Sequence, residues 1–392
     1  MNNNILNKEQ KIILLSATQI YVNDDLAKLE SLLHLKPDWT YISSFSLANG
    51  TAPLLYKSIT QHNWVPLVPN NIYNALQNSY FQTQATNLLV LNELKKVLLA
   101  FVKEGIKPLV IKGMASAEYI YKDLGLRPMG DIDLMVEQHR LADAEKILFC
   151  MGFVNSDPYK SFKLRFLNIN SHLRPFVFKT IKIELHSALS AIHHIYRIPT
   201  RIVWENISQK TFDDVKAYTL NTPYNIMYLS LHAVQHLLKK KIRLNSFVDI
   251  SELIKSEKEH IDWELIIHDS IQYNISNPVY KTLRVCREFL NAPIPDYVTN
   301  KLHKENESIR KEFYLMMCNK TDQITFKTPS DYIKKLKKIE GLPNKVRYMW
   351  SEFFPSKEYI AYHYKLKNKN LYILYYFVQF YKQLIKFLKN IF

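Results

Sequence analysis

The stretch Leu126-Arg-Pro-Met-Gly-Asp-Ile-Asp-Leu-Met-Val136 decides how this chain is read. A turn-rich lead-in gives way at Asp131 to alternating polar and apolar residues, the pattern of a strand. Successive strand side chains point to opposite faces, so Asp131 and Asp133 share one face while Ile132 and Leu134 point into a core. Two carboxylates side by side repel unless they share a proton or a divalent cation. Taken alone, an Asp-x-Asp is more often a solvated strand edge than a site, so the surrounding sequence has to decide.

On the N-terminal side, Pro108 to Ile111 is short, apolar and β-branched, and it ends in Lys112-Gly113 before the helix-like MASAEYIYKD, a strand-turn-helix pattern. On the C-terminal side a helix is expected from about Leu141 to Met151, closed by Gly152. Leu173 to Phe178 and Ile181 to His186, separated by Lys179-Thr180, read as a hairpin, although the turn lacks the preferred Asn-Gly. In Ile181-Lys-Ile-Glu-Leu-His186 the apolar residues share one face, which puts Lys182, Glu184 and His186 on the other. If this strand lies beside the first, Glu184 becomes a third carboxylate, and three carboxylates on one sheet face suit Mg²⁺. Five of the seven glycines (Gly105, Gly113, Gly125, Gly130, Gly152) fall in this segment, marking it as the place where the backbone turns tightly or approaches a ligand.

The flanks are helical in pattern. Before the core, Asp24 to Leu35, Trp39 to Ala48, Pro53 to Thr60 and Asn71 to Glu104 carry helical spacing, the last through Leu88, Leu89, Leu91, Leu94, Val97, Leu98 and Phe101. After about Ile192, helices are expected near Tyr224 to Lys240, Leu244 to Ser256, Trp263 to Gln272, Pro278 to Leu290 and Pro295 to Lys304. The expected class is α+β, a small mixed-sheet core between N- and C-terminal helical subdomains. Its three parts are a helical 1–104, an α/β core at 105–191, and a helical 192–392 with a basic aromatic tail.

Composition narrows the function classes. With 392 residues, 47% hydrophobic and 22% charged, the chain has the make-up of a folded protein. The opening MNNNILNKEQKIILL lacks the marks of a secretory leader, so a cytoplasmic location is expected. Cys150, Cys286 and Cys318 are too scattered for a disulfide framework or a cysteine-ligated zinc, and each is expected as a buried thiol. A net charge of +16 favours polyanionic partners. From Lys327 to Phe392 there are fourteen Lys and Arg against four Asp and Glu, so this tail carries +10 of the total.

Lys112-Gly113 after a strand, Arg127-Pro128, Asp131-Ile-Asp-Leu134 and Glu184-Leu-His186 together resemble the DNA polymerase β-like nucleotidyltransferase superfamily, and more closely its bacterial branch of uncharacterised nucleotidyltransferases. Softer likeness runs through Gly105-Ile-Lys-Pro, the helical Asn225 to Asp249 and Phe354-Pro-Ser-Lys-Glu. The resemblance implies that Asp131, Asp133 and Glu184 bind metal, two Mg²⁺ or Mn²⁺ ions, and form the catalytic triad, with Lys112, Gly113 and Arg127 near the nucleotide phosphates. The superfamily's usual Gly-Ser is here Gly113-Met114, which removes a phosphate-binding hydroxyl. The implied reaction moves a nucleoside monophosphate from a nucleoside triphosphate to an acceptor hydroxyl on a sugar, small molecule, peptide or protein. An accessory protein that keeps the cleft without catalysis is the alternative reading, and nucleic acid as the acceptor ranks lower because the basic charge is concentrated in the tail.

Other residues keep more than one role open. Arg127 either grips a phosphate or holds Asp131 or Asp133 in place. His232 and His236 have zincin spacing, but His-Ala-Val-Gln-His lacks the glutamate base of such a protease, so they are expected to line a cleft or to bond Asp249. His172 and His186 lie near each other in the hairpin, as candidate cleft residues. Residues 371–392 are interrupted by lysines and are too short an uncharged run to span a bilayer. They read as a helix docked on the body, or as an amphipathic helix lying on an anionic membrane surface.

Overall fold

The computed structural model describes residues 6–22, 24–155, 173, 175–190, 196–238, 243–303, 309–318 and 372–388, with 342, 345, 346, 360 and 364 singly. In chain order the elements are α1 (Lys8–Ser16), α2 (Asp25–Leu33), α3 (Trp39–Asn49), α4 (Ala52–Gln61), α5 (Asn70–Lys103), β1 (Leu109–Ile111), α6 (Gly113–Ser116), β2 (Ile132–Met135), α7 (Leu141–Cys150) and β3 (Val154–Asn155). There follow β4 (Phe176–Phe178), β5 (Ile181–His186), α8 (Thr200–Glu205), β6 (Ile207–Phe212), β7 (Val215–Leu220) and α9 (Thr222–Leu238). The last are α10 (Asn245–Ser256), α11 (Trp263–Gln272), α12 (Ser276–Phe289), α13 (Asp296–Leu302), α14 (Ile309–Met317) and α15 (Tyr372–Leu388). The class is α+β, with seven strands in a mixed sheet. The chain forms two compact units, one of Met1–Leu99, Leu109–Ile132 and Arg201–Thr325, the other of Ala100–Pro108, Asp133–Thr200 and Phe326–Phe392.

In the larger unit α1, α3 and α11 start on side-chain caps. Asn7 and Gln10 cap α1 reciprocally, Gln10 N donating to Asn7 Oδ1 at 2.8 Å and Asn7 N to Gln10 Oε1 at 3.1 Å. Asp38 caps α3 and Asp262 caps α11. The first helix is tied to residues made far later, since Gln10 Nε2 donates to the Met317 carbonyl at 3.2 Å. Fully buried Glu252 accepts from Gln19 N at 3.0 Å and from the Thr18 hydroxyl, and Lys255 Nζ lies 3.4 Å away, so the buried charge is paired. Of the α5 periodicity, Leu91, Leu94, Val97, Leu98 and Phe101 are buried, while Leu88 and Leu89 are exposed.

Strands β1, β7 and β6 lie in that order, β1 parallel to β7 and β7 antiparallel to β6. The sequence reading treated everything after about Ile192 as helical, and the β6–β7 hairpin corrects it. Its turn is Asp213-Asp214, with Asp213 at φ +55°, and Lys95 pairs with both carboxylates at 2.8 and 2.6 Å. That lysine, distant in sequence, relieves the repulsion that makes two adjacent acids a poor hairpin turn.

In the smaller unit the order is β3-β4-β5-β2, with β3/β4 and β4/β5 antiparallel. The Lys179-Thr180 turn forms as read, with Lys179 at φ +53° in place of the usual Asn or Gly. Phe149 on α7 meets Phe176 at 5.5 Å between ring centroids, and Phe153 meets Phe178 at 5.4 Å. Cys286 is buried, and burial pushes its thiol pKa up, whereas Cys150, expected to be buried, is exposed.

On α15, Gln379 is buried and accepts from the Tyr364 hydroxyl at 3.0 Å. The opposite face is apolar and open, with Ile373, Leu374, Phe377, Val378, Phe380 and Tyr381 each 40–71% exposed. This stripe is therefore not core. Among the described residues no helix is long and apolar enough to cross a membrane.

Candidate active site

Strand β2 is buried on both faces, with Ile132, Leu134 and Met135 at 0% exposure and Asp133 at 4%. A carboxylate in that setting needs a partner, because an unpaired buried charge is costly. It has one in His186, whose Nε2 lies 2.8 Å from Asp133 Oδ1. Strand β5 follows β2 in the sheet, and Val136 N donates to the His186 carbonyl at 3.0 Å, which fixes the end of β5 against the end of β2. The alternation along β5 holds, since Ile183 and Leu185 are fully buried while half-buried Glu184 and buried His186 take the other face. Glu184 Oε2 lies 3.7 Å from His186 Nε2. Asp133, Glu184 and His186 thus bring one ligand atom each within 4.8 Å of one another, a set compatible with a divalent cation.

The larger unit holds the remaining described candidates. Lys112 follows β1 in a backbone conformation, φ 56° and ψ −127°, that residues with a side chain rarely adopt. A Cβ on the next residue, Gly113, would be a tight fit, 3.2 Å from Met129 Cβ and in ordinary contact with Arg127 Nη1 at 3.5 Å. Arg127 is engaged within its own unit. It is paired with buried Asp249, Nη2 to Oδ2 at 2.7 Å and Nε to both oxygens at 3.2 and 3.3 Å, and it also donates to the Pro128 carbonyl at 2.7 Å. Burial works against the guanidinium charge, but Asp249, with a smaller pull from Asp131, outweighs it and raises the Arg127 pKa. The Tyr121 hydroxyl donates to Asp249 at 2.9 Å, and burial followed by that carboxylate's charge pushes the phenol well above its usual range.

Asp131 lies in the wall of a cavity of about 640 Å³ within this unit, together with Arg127, His232, His236 and Arg243. The two histidines touch through Nε2 and Nε2 at 3.1 Å, so one imidazole donates to the other. They line the cavity, while Asp249 is engaged by Arg127 and Tyr121. His172 lies outside the described residues.

Sequence reasoning passed over Asn87, whose fully buried amide donates to the carbonyls of Leu124 at 2.7 Å and Arg127 at 2.9 Å, pinning the turn that leads into β2. It also passed over Tyr80, which donates to Asp123 at 3.0 Å beneath Gly125. A Cβ on Gly125 would lie 2.4 Å from the Tyr80 ring, so that glycine is required by close approach. Helical spacing assigned these residues a face but no partner.

No curated protein and no solved structure matches the chain. Residues 36–291, well over half of the chain and including the strand-turn-helix, Asp131 to Leu134 and β5, match the family described as uncharacterised nucleotidyltransferase, and the chain belongs to that family of nucleotidyltransferases.

Proposed function

We propose that the protein moves a nucleoside monophosphate from a nucleoside triphosphate, ATP among them, to an acceptor hydroxyl and releases pyrophosphate. The observation that carries this reading is the convergence of Asp133, Glu184 and His186 from adjacent strands in a member of this family. The donor set fits a divalent ion: carboxylate oxygens suit Mg²⁺ and Mn²⁺, and His186 at 2.8 Å holds Asp133 in one orientation. Asp131 joins as a further ligand on the strength of the Asp-x-Asp pattern. When bound, such ions neutralise phosphate charge and lower the pKa of the attacking hydroxyl.

The chain's own groups do the rest. The acceptor oxygen bonds to the α-phosphorus, the bond from that phosphorus to the bridging oxygen breaks, and pyrophosphate leaves with the electron pair. The hydroxyl proton passes to Glu184, which is half-buried and open to substrate. Lys112 and Gly113 are assigned to the triphosphate, because a lysine held at φ 56° carries strain that proteins concentrate where a ligand is gripped. Arg127, committed to Asp249, serves by shaping the loop before Asp131.

A peripheral membrane setting is part of the proposal. Its support is the open apolar face of α15, with Lys382 off that face over the Tyr364 ring, in a tail carrying a net +10.

The test is Mg²⁺-dependent transfer of label from α-labelled nucleoside triphosphates, with cell extract as the acceptor source. Transfer by the wild type that an Asp131→Ala/Asp133→Ala variant loses is the expected result. Absence of metal-dependent nucleotide binding in the wild type would refute the reading.

A further inference from the structure

Helix α5 changes character along one face. Val90, Leu91, Leu94 and Leu98 pack as core, but one to three turns earlier the same face carries Ser79, Gln82, Thr83, Thr86 and Asn87. Their spacing, i, i+3, i+4, i+7 and i+8, is that of a single helical stripe, and all five line the 640 Å³ cavity. Thr83 and Asn87 are buried, Ser79 is half-buried, and Gln82 and Thr86 are exposed at the cavity mouth, so the stripe runs from rim to wall; the Asn87 amide is engaged by the turn, and the other four offer hydroxyls and an amide to a ligand in the cavity. Asn245 and Ser246, at the start of α10, add an amide and a hydroxyl from another wall.

The charges in the walls are unequal. Arg127 is ion-paired to Asp249, so its charge is already balanced. Arg243 is exposed, and no acid pairs with it among the described residues. The hydrogen-bonded pair His232 and His236 gains a further positive charge on taking up one proton. Apart from these two imidazoles, the described lining includes no aromatic ring on which a nucleobase would stack. The volume suits a ligand of metabolite size.

We propose that this cavity is the acceptor site and that its ligand is a polyhydroxylated compound bearing a phosphate, a sugar phosphate in chemical class. The anion sits against Arg243 and the histidine pair, the hydroxyls sit along the α5 stripe, and Asp131 in the same wall marks the end at which a hydroxyl is presented. The proposal rests on the nucleotidyl-transfer reading for its meaning, though not for its binding chemistry.

The experiment is calorimetric titration of the full chain with a panel of pentose and hexose phosphates, with the parent sugars, and separately with ATP and Mg²⁺. At least one sugar phosphate is expected to bind at least about tenfold more tightly than its parent sugar, since the phosphate makes charge-assisted contacts. Arg243→Ala is expected to remove most of that difference, and Thr83→Val/Thr86→Val to weaken the sugar phosphate at least about fivefold. ATP binding is expected to be unchanged in both variants. Arg243 is exposed and the Thr→Val pair conserves shape, and unchanged melting temperatures verify that both variants are folded. No binding by any panel member overturns the proposal, as does loss of ATP binding in both variants, which makes the cavity the nucleotide site. Sugar phosphate binding that depends on Arg243, in a protein that transfers no label to the bound compound, upholds the binding site and overturns the nucleotidyl-transfer reading instead.

Discussion

Replacing Asp249 with alanine removes the carboxylate that is ion-paired with Arg127. Asp249 is 2% exposed, and it accepts from Arg127 at 2.7, 3.2 and 3.3 Å and from the Tyr121 hydroxyl at 2.9 Å. Breaking a buried ion pair from one side costs about 3–5 kcal/mol, because the remaining charge is stranded. The orphaned tyrosine hydroxyl adds about 1 kcal/mol or more. A loss of about 4–6 kcal/mol corresponds to a fall of about 8–24 °C in melting temperature for a unit of this size. Urea unfolding should show the lowered midpoint with an unchanged slope. The double variant Arg127→Met/Asp249→Leu removes both charges together and should recover most of the loss. A single variant within about 1 kcal/mol of wild type, or a double variant as unstable as the single, refutes the argument that this pair holds the loop before Asp131.

Gly125→Ala forces a Cβ to 2.4 Å from the Tyr80 ring, which Asp123 holds in place, and should cost about 1–3 kcal/mol in thermal unfolding; an unchanged melting temperature counts against it. Tyr21, Tyr80 and Tyr119 titrate at about 12 against an ordinary 10, through burial in each case, with Asp123 adding to it at Tyr80. The folded state holds these protons more tightly than the unfolded chain, so their stability contribution is intact below pH 10 and is lost as pH rises towards 12. Replacing each of the three with phenylalanine should leave the phenolate absorbance of the folded protein at pH 10 unchanged, because the other tyrosines of the 25 supply it; a drop in any of these variants contradicts this. For the membrane setting, sedimentation with phosphatidylglycerol vesicles is expected, with little sedimentation on phosphatidylcholine and a marked loss in Leu374→Ser/Phe377→Ser. Equal sedimentation of that variant, or a wild type that dimerises through the face without touching vesicles, argues against a lipid partner.

Legibility in the sequence followed the range of the interaction. The hairpin at Lys179-Thr180, the helix from Trp263 to Gln272 and the facing of Glu184 and His186 depend on neighbours a few residues apart, and periodicity exposed them. The β6–β7 hairpin was missed because its Asp213-Asp214 turn lacks the usual glycine, and the lysine that pairs with both acids, Lys95, lies more than a hundred residues away. The same reason hid the partner of Arg127: nothing in its surroundings points to Asp249, 122 positions later. Asp133 was read correctly as strand-borne, but its bond to His186 needed β5 to lie beside β2. The α5 stripe was overlooked because hydroxyls and amides leave no mark on a hydrophobic pattern.

The bond from Gln10 to the carbonyl of Met317 has a temporal side. The two residues are 307 positions apart, and a ribosome adding about 5–20 residues per second needs roughly 15–60 s to travel that distance. Throughout that interval α1 has been synthesised but the carbonyl that receives it has not. The apolar side chains of α1 pack against α2, α3 and α4, all made by Gln61, so it is the polar amide of Gln10 that waits for its partner. The first helices can therefore assemble early, and the bond from Gln10 closes only when the far end of the unit arrives.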